Sequence, residues 1–421
     1  MKVLIIGGGG REHALCWKIK QSPLVDKIYC APGNGGTEKI AEHLNISAMD
    51  IDSLLEFAKS NEIDLTIVGP EQPLVKGIVN RFNDTGLRIF GADEKAAILE
   101  GSKSFTKDFS KRHNIPTAES ETFSDKHSAL NYVKEKGAPI VIKADGLAAG
   151  KGVVVATSID EATDAINMIM EHRVFGDAGS KVIVEEFLTG QEASYLVFTD
   201  GENFIPLASS QDHKQVNDGD KGPNTGGMGA YSPTEVVSSE VEKRVIDEII
   251  KPTISGMKAE GRTFKGILYA GLMVSGDTPK LIEYNVRFGD PEAQPLLMRM
   301  KSDIVPIFEA CIDGNLNEHE IEWDDRTAVC VVMASGGYPG NFQKRYEISG
   351  IEQAEKKGDT VVFHAGTIYE DDKLVTNGGR VLGVTALGET KEAAIESAYE
   401  AVRSINFAQA HYRNDIGKRE I

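Results

Sequence analysis

The chain opens on Val3-Leu4-Ile5-Ile6, an unbroken apolar run, and unbroken runs of this length read as strands buried on both faces. A glycine cluster follows, and the stretch from Arg11 to Lys20 reads as a helix, so the first thirty residues predict a strand, a turn and a helix. Lys27 to Cys30 predicts the next strand. Asp50 is placed to cap a helix running through Leu54, Leu55 and Ala58, and Leu65-Thr66-Ile67-Val68 predicts another buried strand, ended by Gly69-Pro70. Strands alternating with helices predict a parallel, doubly wound sheet to about residue 100.

From Phe105 the pattern changes. A basic helix, a loop at Ile115-Pro116 and a helix from about Asp125 lead to the strand Pro139 to Lys143 and a second glycine cluster. The strand Val153 to Ala156 follows, then the capping-box spacing Ser158-x-x-Glu161 that predicts a helix to about His172, then the strand Lys181 to Phe187. This is a small α+β unit built around a glycine hairpin. Between Ala193 and about Trp323 strands mix with a polar loop, Asp212 to Gly229, too long and too glycine-rich for a plain connector. Strands at Ala328–Ala334, Thr360–His364 and Val381–Ala386 precede a last helix from near Thr390, with Ala394, Ile395, Ala398, Val402 and Ile405 on its apolar face.

Composition narrows the function classes. A chain of 421 residues has room for about three domains. Asp and Glu outnumber Lys and Arg by 64 to 46, a formal charge of −18, which repels a polyanionic duplex and argues against a nucleic-acid partner. Cys16, Cys30, Cys311 and Cys330 are far apart and form no CxxC pair, so a zinc site is not expected. The apolar opening is too short for a signal-peptide core, and no run approaches the roughly 18 residues that span a bilayer. A cytoplasmic chain with reduced thiols, without a membrane partner, is the expectation.

Five segments carry chemistry. Gly7-Gly8-Gly9-Gly10-Arg11-Glu12-His13 joins a strand to a helix, where backbone N–H groups suit a phosphate; glycines that only permit a tight turn would read the same. A dinucleotide fingerprint from Gly7 fails, because Glu12 stands in the third glycine's place and no acidic residue ends the second strand. Lys143-Ala144-Asp145-Gly146-Leu147-Ala148-Ala149-Gly150-Lys151-Gly152 is not a P-loop, since three residues separate Gly146 from Gly150 and no Ser or Thr follows Lys151. It can still set two cations and free N–H groups around a triphosphate, although a glycine turn with solvated lysines gives the same pattern. Glu283, Asn285 and Arg287 share one strand face, two oxygen ligands beside a guanidinium, as a Mg²⁺-triphosphate site requires and as an exposed polar face also provides. Asp290 and Glu292 follow at once. Glu185-Glu186-Phe187-Leu188 and Glu192 suit an adenine edge and a ribose or a plain surface. Gln211-Asp212-His213-Lys214 precedes Asn224-Thr225-Gly226-Gly227-Met228-Gly229, a loop shaped for close backbone approach, with His213 a structural residue.

Taken together with Gly9 to Ala14, Ala31 to Gly36, Gly69-Pro70-Glu71 and Arg287 through Gln294, these segments resemble the ATP-grasp superfamily, and within it the ligases of purine biosynthesis. The resemblance runs over nearly the whole chain. It implies an α/β and α+β multidomain fold: an N-terminal doubly wound parallel sheet (1–101), an ATP-grasp segment with a mobile lid (102–192), a central ATP-grasp domain (193–325) and a C-terminal α+β cap (326–421). It implies ligation of glycine to 5-phosphoribosylamine with ATP through a glycyl phosphate, by a monomer using Mg²⁺ or Mn²⁺. Another ligase or carboxylase of the superfamily, or a nucleotide-binding regulator without turnover, are the alternatives. By matching position, ATP is assigned to Lys103, Lys143, Gly150, Lys151, Gly152, Glu185, Glu186, Phe187, Leu188 and Glu192, and the metal to Glu283 and Asn285. Arg287 would stabilise the transferred phosphoryl group, with Asp212, Lys214 and Asp290 also catalytic. Gly9, Gly10, Glu12, Asn34, Gly36, Glu71, Gly227 and Glu292 would hold the other substrates. Gln215, Asn217 and Lys221 depart from the family pattern and bear on substrate contacts.

Overall fold

A computed structural model describes residues 1–147 and 152–418. The N-terminal sheet is parallel throughout, with strands in the order Glu42–His43, Lys27–Pro32, Lys2–Gly7, Leu65–Val68, Ile89–Phe90. Both faces of the first strand are covered: Leu4 and Ile6 join a core with Phe109 and Leu268, while Val3 and Ile5 join another with Phe198, Leu296 and Phe308. This double burial is why the strand reads as an unbroken apolar run instead of alternating.

Two antiparallel sheets follow. One is Ser120–Phe123, Val182–Glu186, Ile140–Ala144, Val153–Ala156, closed by the helices Lys126–Lys136 and Ile159–Ile166 over a separate small core. The other is Phe204–Pro206, Gln191–Thr199, Gly266–Ser275, Thr278–Asn285. Caps form where expected: the side chains of Asp50, Asp125, Ser158 and Thr390 accept from Ser53, Ser128, Glu161 and Ala393 N–H, each interaction worth about 1 kcal/mol. The Ser158 box is displaced by one residue, because the Glu161 carboxylate accepts from Thr157 N–H at 2.7 Å rather than from the cap itself.

The polar stretch 212–229 is not an open loop. It folds into a hairpin, Gln215–Asn217 against Lys221–Asn224, flanked by Gln211–Asp212 and Gly229–Ser232. Those flanks extend the C-terminal sheet, whose order is Gln211–Asp212, Gly229–Ser232, Thr327–Ser335, Arg380–Gly388, Thr360–His364. On this sheet lies the helix Lys391–Val402, with Ala394, Ala398 and Val402 buried and Ile395 packed at the edge. Helices at Ser239–Val245, Lys251–Ala259, Ala293–Arg299 and Ile304–Asp313 carried no expectation. Every residue of Ala293–Arg299 is buried, so it has no polar face to reveal a helical period. No helix among the described residues is long and apolar enough to cross a membrane.

The N-terminal and C-terminal parts meet at two buried histidines. His13 Nδ1 accepts from His364 N–H at 2.7 Å, and the Asn34 amide donates to His364 O at 2.8 Å. Burial holds His13 well below its ordinary value and takes His364 down to about 3, with Lys39 adding to both. A histidine whose folded value lies below its unfolded one contributes stability above the unfolded pKa of about 6.5 and loses it as pH falls. At pH 5 the loss is about 2 kcal/mol for each histidine still neutral in the fold. The fall in Tm between pH 7 and pH 5 is therefore expected to shrink in His364→Asn, checked by thermal unfolding of both proteins; equal falls would refute the assignment.

Candidate active site

Strand order in the N-terminal sheet reverses between Lys2–Gly7 and Leu65–Val68, and a crevice opens at their C-terminal ends as connections leave to opposite faces. Gly7, Gly8, Gly9, Pro70 and Glu71 line it. The glycines admit a protein group. A Cβ on Gly69 would stand 2.0 Å from Glu12 Oε1, and one on Gly7 2.6 Å from Glu12 Cδ. The Glu12 carboxylate accepts from Gly9 N–H at 2.5 Å and from Arg11 Nε at 2.6 Å, while Arg11 N–H reaches Asp290 at 3.4 Å. Protein carboxylates thus occupy the helix N-terminus that the sequence marks for a phosphate, as the dipole favours.

The crevice is continuous with a cleft of about 940 Å³ between the two antiparallel sheets. Apolar walls come from Val141, Val153, Val155, Phe187, Leu188, Met273 and Ile282. At its floor Lys143 Nζ and Lys107 Nζ lie on the same oxygen of Glu185, at 2.9 and 3.0 Å, all three side chains buried. Among the described residues the other oxygen, Glu185 Oε1, is buried with no hydrogen-bond partner. Burial pulls Lys107 down to about 8 against the attraction of Glu185, and it lowers Lys103, whose Nζ donates to Gly146 O at 2.8 Å. Glu186 turns to Lys280 at 2.8 Å.

Farther in, Lys214 Nζ pairs with Glu192 at 2.6 Å. Burial opposes its charge, yet Glu192, Asp212 and Glu283 together hold it well above its ordinary value. Glu283 shows the converse: burial would raise its carboxyl, but Lys214, Lys143, Lys103 and Arg287 keep it low, hence ionised. Arg287 is ringed by acceptors, with Glu100 at 2.8 Å, Asn285 Oδ1 at 3.0 Å, Phe288 O at 3.2 Å and Glu71 at 3.4 Å. Burial pushes Glu100 up to about 7, against the pull of Arg287. Asp290 accepts from Gln294 at 3.0 Å and stays below its usual value, burial being outweighed by Arg380 and Arg11. Glu292 accepts from the Tyr269 hydroxyl at 2.6 Å.

Glu283 and Asn285 offer one carboxylate and one amide oxygen to the cleft. Such a pair suits a Mg²⁺ that keeps several waters and is completed by phosphates. Among the described residues no group of three or more His, Cys, Asp or Glu gathers to hold an ion by itself.

Of the residues expected at the site, Gly9, Glu12, Glu71, Lys103, Lys143, Gly152, Glu185 to Leu188, Glu192, Asp212, Lys214, Glu283, Asn285, Arg287, Asp290 and Glu292 line this one cleft. Gly150 and Lys151 lie outside the described residues. Four others stand behind the wall. The Asn34 amide donates to Gly8 O, Gly9 O and His364 O and its oxygen accepts from Gly36 and Thr37 N–H, so its side chain braces the glycine turn. Gly10 and Gly36 make room for Gln294 and His13, and Gly227, at φ +113°, for Pro291. Gln215 reaches the cleft, whereas Asn217 and Lys221 are exposed on the hairpin.

Residues that sequence reasoning did not assign also line it: Arg11, Glu100, Lys107, Tyr269, Tyr338 and Arg380. Lys107 stands one helical turn after Lys103, a spacing that could have flagged it. Arg380 opens a strand of the C-terminal sheet and Tyr338 lies in the turn after the strand Thr327–Ser335; they bond Gly226 O at 2.6 Å and Gly226 N–H at 3.0 Å, and nothing local marks them.

Models of phosphoribosylglycinamide synthetase match the chain in three consecutive parts: the N domain over residues 1–100, the ATP-grasp (A) domain over 101–293 and the C domain over 328–419. The phosphoribosylamine–glycine ligase of Yersinia pestis is 57% identical over 425 residues, covering 100% of this chain and 99% of that one; that of Vibrio cholerae is 56% identical over 424 residues with the same coverage. The crystal structure of phosphoribosylamine–glycine ligase from Thermotoga maritima superposes with a TM-score of 0.87 at 34% identity, covering 99% of this chain and 100% of that one. A biotin carboxylase from Campylobacter jejuni shares the fold, with a TM-score of 0.74 at 16% identity over 99% of this chain and 94% of that one. With its three domain matches in order and relatives this similar over its full length, the chain belongs to the phosphoribosylglycinamide synthetase family.

Proposed function

We infer that the protein is an ATP-dependent ligase of purine biosynthesis that joins glycine to 5-phosphoribosylamine, giving glycinamide ribonucleotide, ADP and phosphate. The observation that supports this best is the continuity of two chemically different compartments. A slot lined by lysines and apolar side chains opens directly into the switch-point crevice, so a nucleotide in one can react with substrates in the other. That is what a ligase acting on three substrates needs.

A carboxylate is a poor acyl donor until it carries a leaving group. In this reading the γ-phosphoryl group of ATP passes to the glycine carboxylate, and the amine of phosphoribosylamine then attacks the acyl carbon of glycyl phosphate and expels phosphate. Phosphoryl transfer is governed by positioning and electrostatics. Lys103 and Lys143 meet the phosphates, and the apolar walls with Glu185 to Leu188 take the adenine, leaving Glu192 for the ribose. Arg287 stabilises charge on the phosphoryl group in flight. Glu283 and Asn285 would hold Mg²⁺ or Mn²⁺, which when bound neutralises phosphate charge. Asp212, Lys214, Asp290 and Glu292 orient glycine and the amine, and Glu71 faces the ribosyl substrate from the crevice. Gly9 and Glu12 shape that crevice, which Asn34 and Gly36 brace from behind.

ADP release is expected only when Mg-ATP, glycine and freshly generated phosphoribosylamine are all present, with glycinamide ribonucleotide identified by mass; release supported by bicarbonate in place of glycine would overturn the substrate assignment. Glu283→Ala is expected to lower kcat on the order of a hundredfold or more while the protein stays folded. Steady-state rates at several Mg²⁺ concentrations check this, and near-normal metal-dependent turnover would remove Glu283 from the metal site.

A further inference from the structure

Glu100 belongs to no expected site, yet it is buried at 9% exposure and both of its oxygens are committed at one place. One accepts from Val286 N–H at 2.7 Å and the other from Arg287 Nη2 at 2.8 Å. Val286 and Arg287 directly follow the strand Thr278–Asn285, so a single carboxylate grips both the backbone leaving the strand and the guanidinium that projects from it.

The remaining contacts of Arg287 do not fix it equally well. Glu71 stands at 3.4 Å, at the long end of a hydrogen bond, and is the more exposed partner, 23% against 8% for Glu100. Asn285 and Phe288 O are neutral acceptors close in sequence, which move with the segment they would have to hold. An arginine side chain has many rotamers to lose, so a guanidinium fixed in advance by a rigid partner reaches the reacting geometry without that cost. Glu100 is such a partner, because it comes from a different element, the helix Glu94–Gly101.

We propose that Glu100 is a positioning residue for phosphoryl transfer, holding the Arg287 guanidinium and the Val286 backbone in the geometry the transfer requires. The inference rests on the role given to Arg287 above. Its test is a double-mutant cycle of Glu100→Gln and Arg287→Lys, with Glu100→Asp as the conservative variant, reading kcat, KM for ATP and Tm. Glu100→Gln is expected to lower kcat about tenfold with KM for ATP changed less than about twofold. Glu100→Asp should recover part of the loss, and Glu100→Gln should add less than about twofold in the Arg287→Lys background, because coupled residues are not additive. Losses that multiply across the cycle, or that fall on KM or Tm alone, would overturn the role of Glu100. An Arg287→Lys variant with unchanged kcat would overturn the role of Arg287 itself, and with it this inference.

Discussion

Among the described residues the cations of the cleft are held against carboxylates, except Lys103, whose Nζ donates to Gly146 O, and the arrangement depends on that pairing. An unpaired charge in a site this buried would neutralise or disrupt the packing around it, since desolvation costs several kcal/mol per ion even after relaxation. Glu185 serves Lys107 and Lys143, Glu192 serves Lys214, and Glu71 with Glu100 serves Arg287. The partners come from different parts of the chain, so the pairing also determines how the parts assemble. A nucleotide would bring its own negative charge into this set, and the lysines already gathered there can turn from carboxylates towards phosphates.

The N-terminal sheet contributes through topology more than through any single residue. Reversal of strand order leaves a crevice, and Gly7 and Gly69, each at the end of a strand beside it, leave room for the Glu12 side chain. The residues that look like an anion site from sequence therefore serve first to seat Glu12 and, through it, Arg11. Asn34 performs the same service from the neighbouring connection by tying down Gly8 and Gly9. Close packing explains the glycines here better than freedom of the backbone does, since a Cβ on Gly8 would lie 2.5 Å from Gly33 O.

The C-terminal part is not a separate lobe laid on the rest. Its sheet is extended by Gln211–Asp212 and Gly229–Ser232, strands that flank the hairpin beside the cleft, and its Arg380 bonds Gly226 O. The histidine contact, linked to the glycine turn through Asn34, ties it to the first helix. Both contacts position polar groups whose chemistry would be lost if the elements shifted by an ångström.

Helices with one wet face and an obvious cap were legible in the chain, namely those after Asp50 and Thr390, and so was the short strand-forming run Thr360–His364, whose limits agree to the residue. So was the strand carrying Glu283 and Asn285, because a two-residue period puts both on one face wherever the strand lies. Helices buried all round, such as Ala293–Arg299, were illegible because periodicity records contrast with solvent and they have none. The sequence by itself determined the longer strands of the N-terminal sheet and the capped helices, which chemistry-bearing residues share a local face, and which family the chain resembles. Only the tertiary structure decided that Glu100, Lys107 and Arg380 join the cleft and that Asn34 and Gly227 stand behind it. The reason is physical: a charge is paired by whichever opposite charge the fold brings within about 3 Å, and separation along the chain carries no record of that.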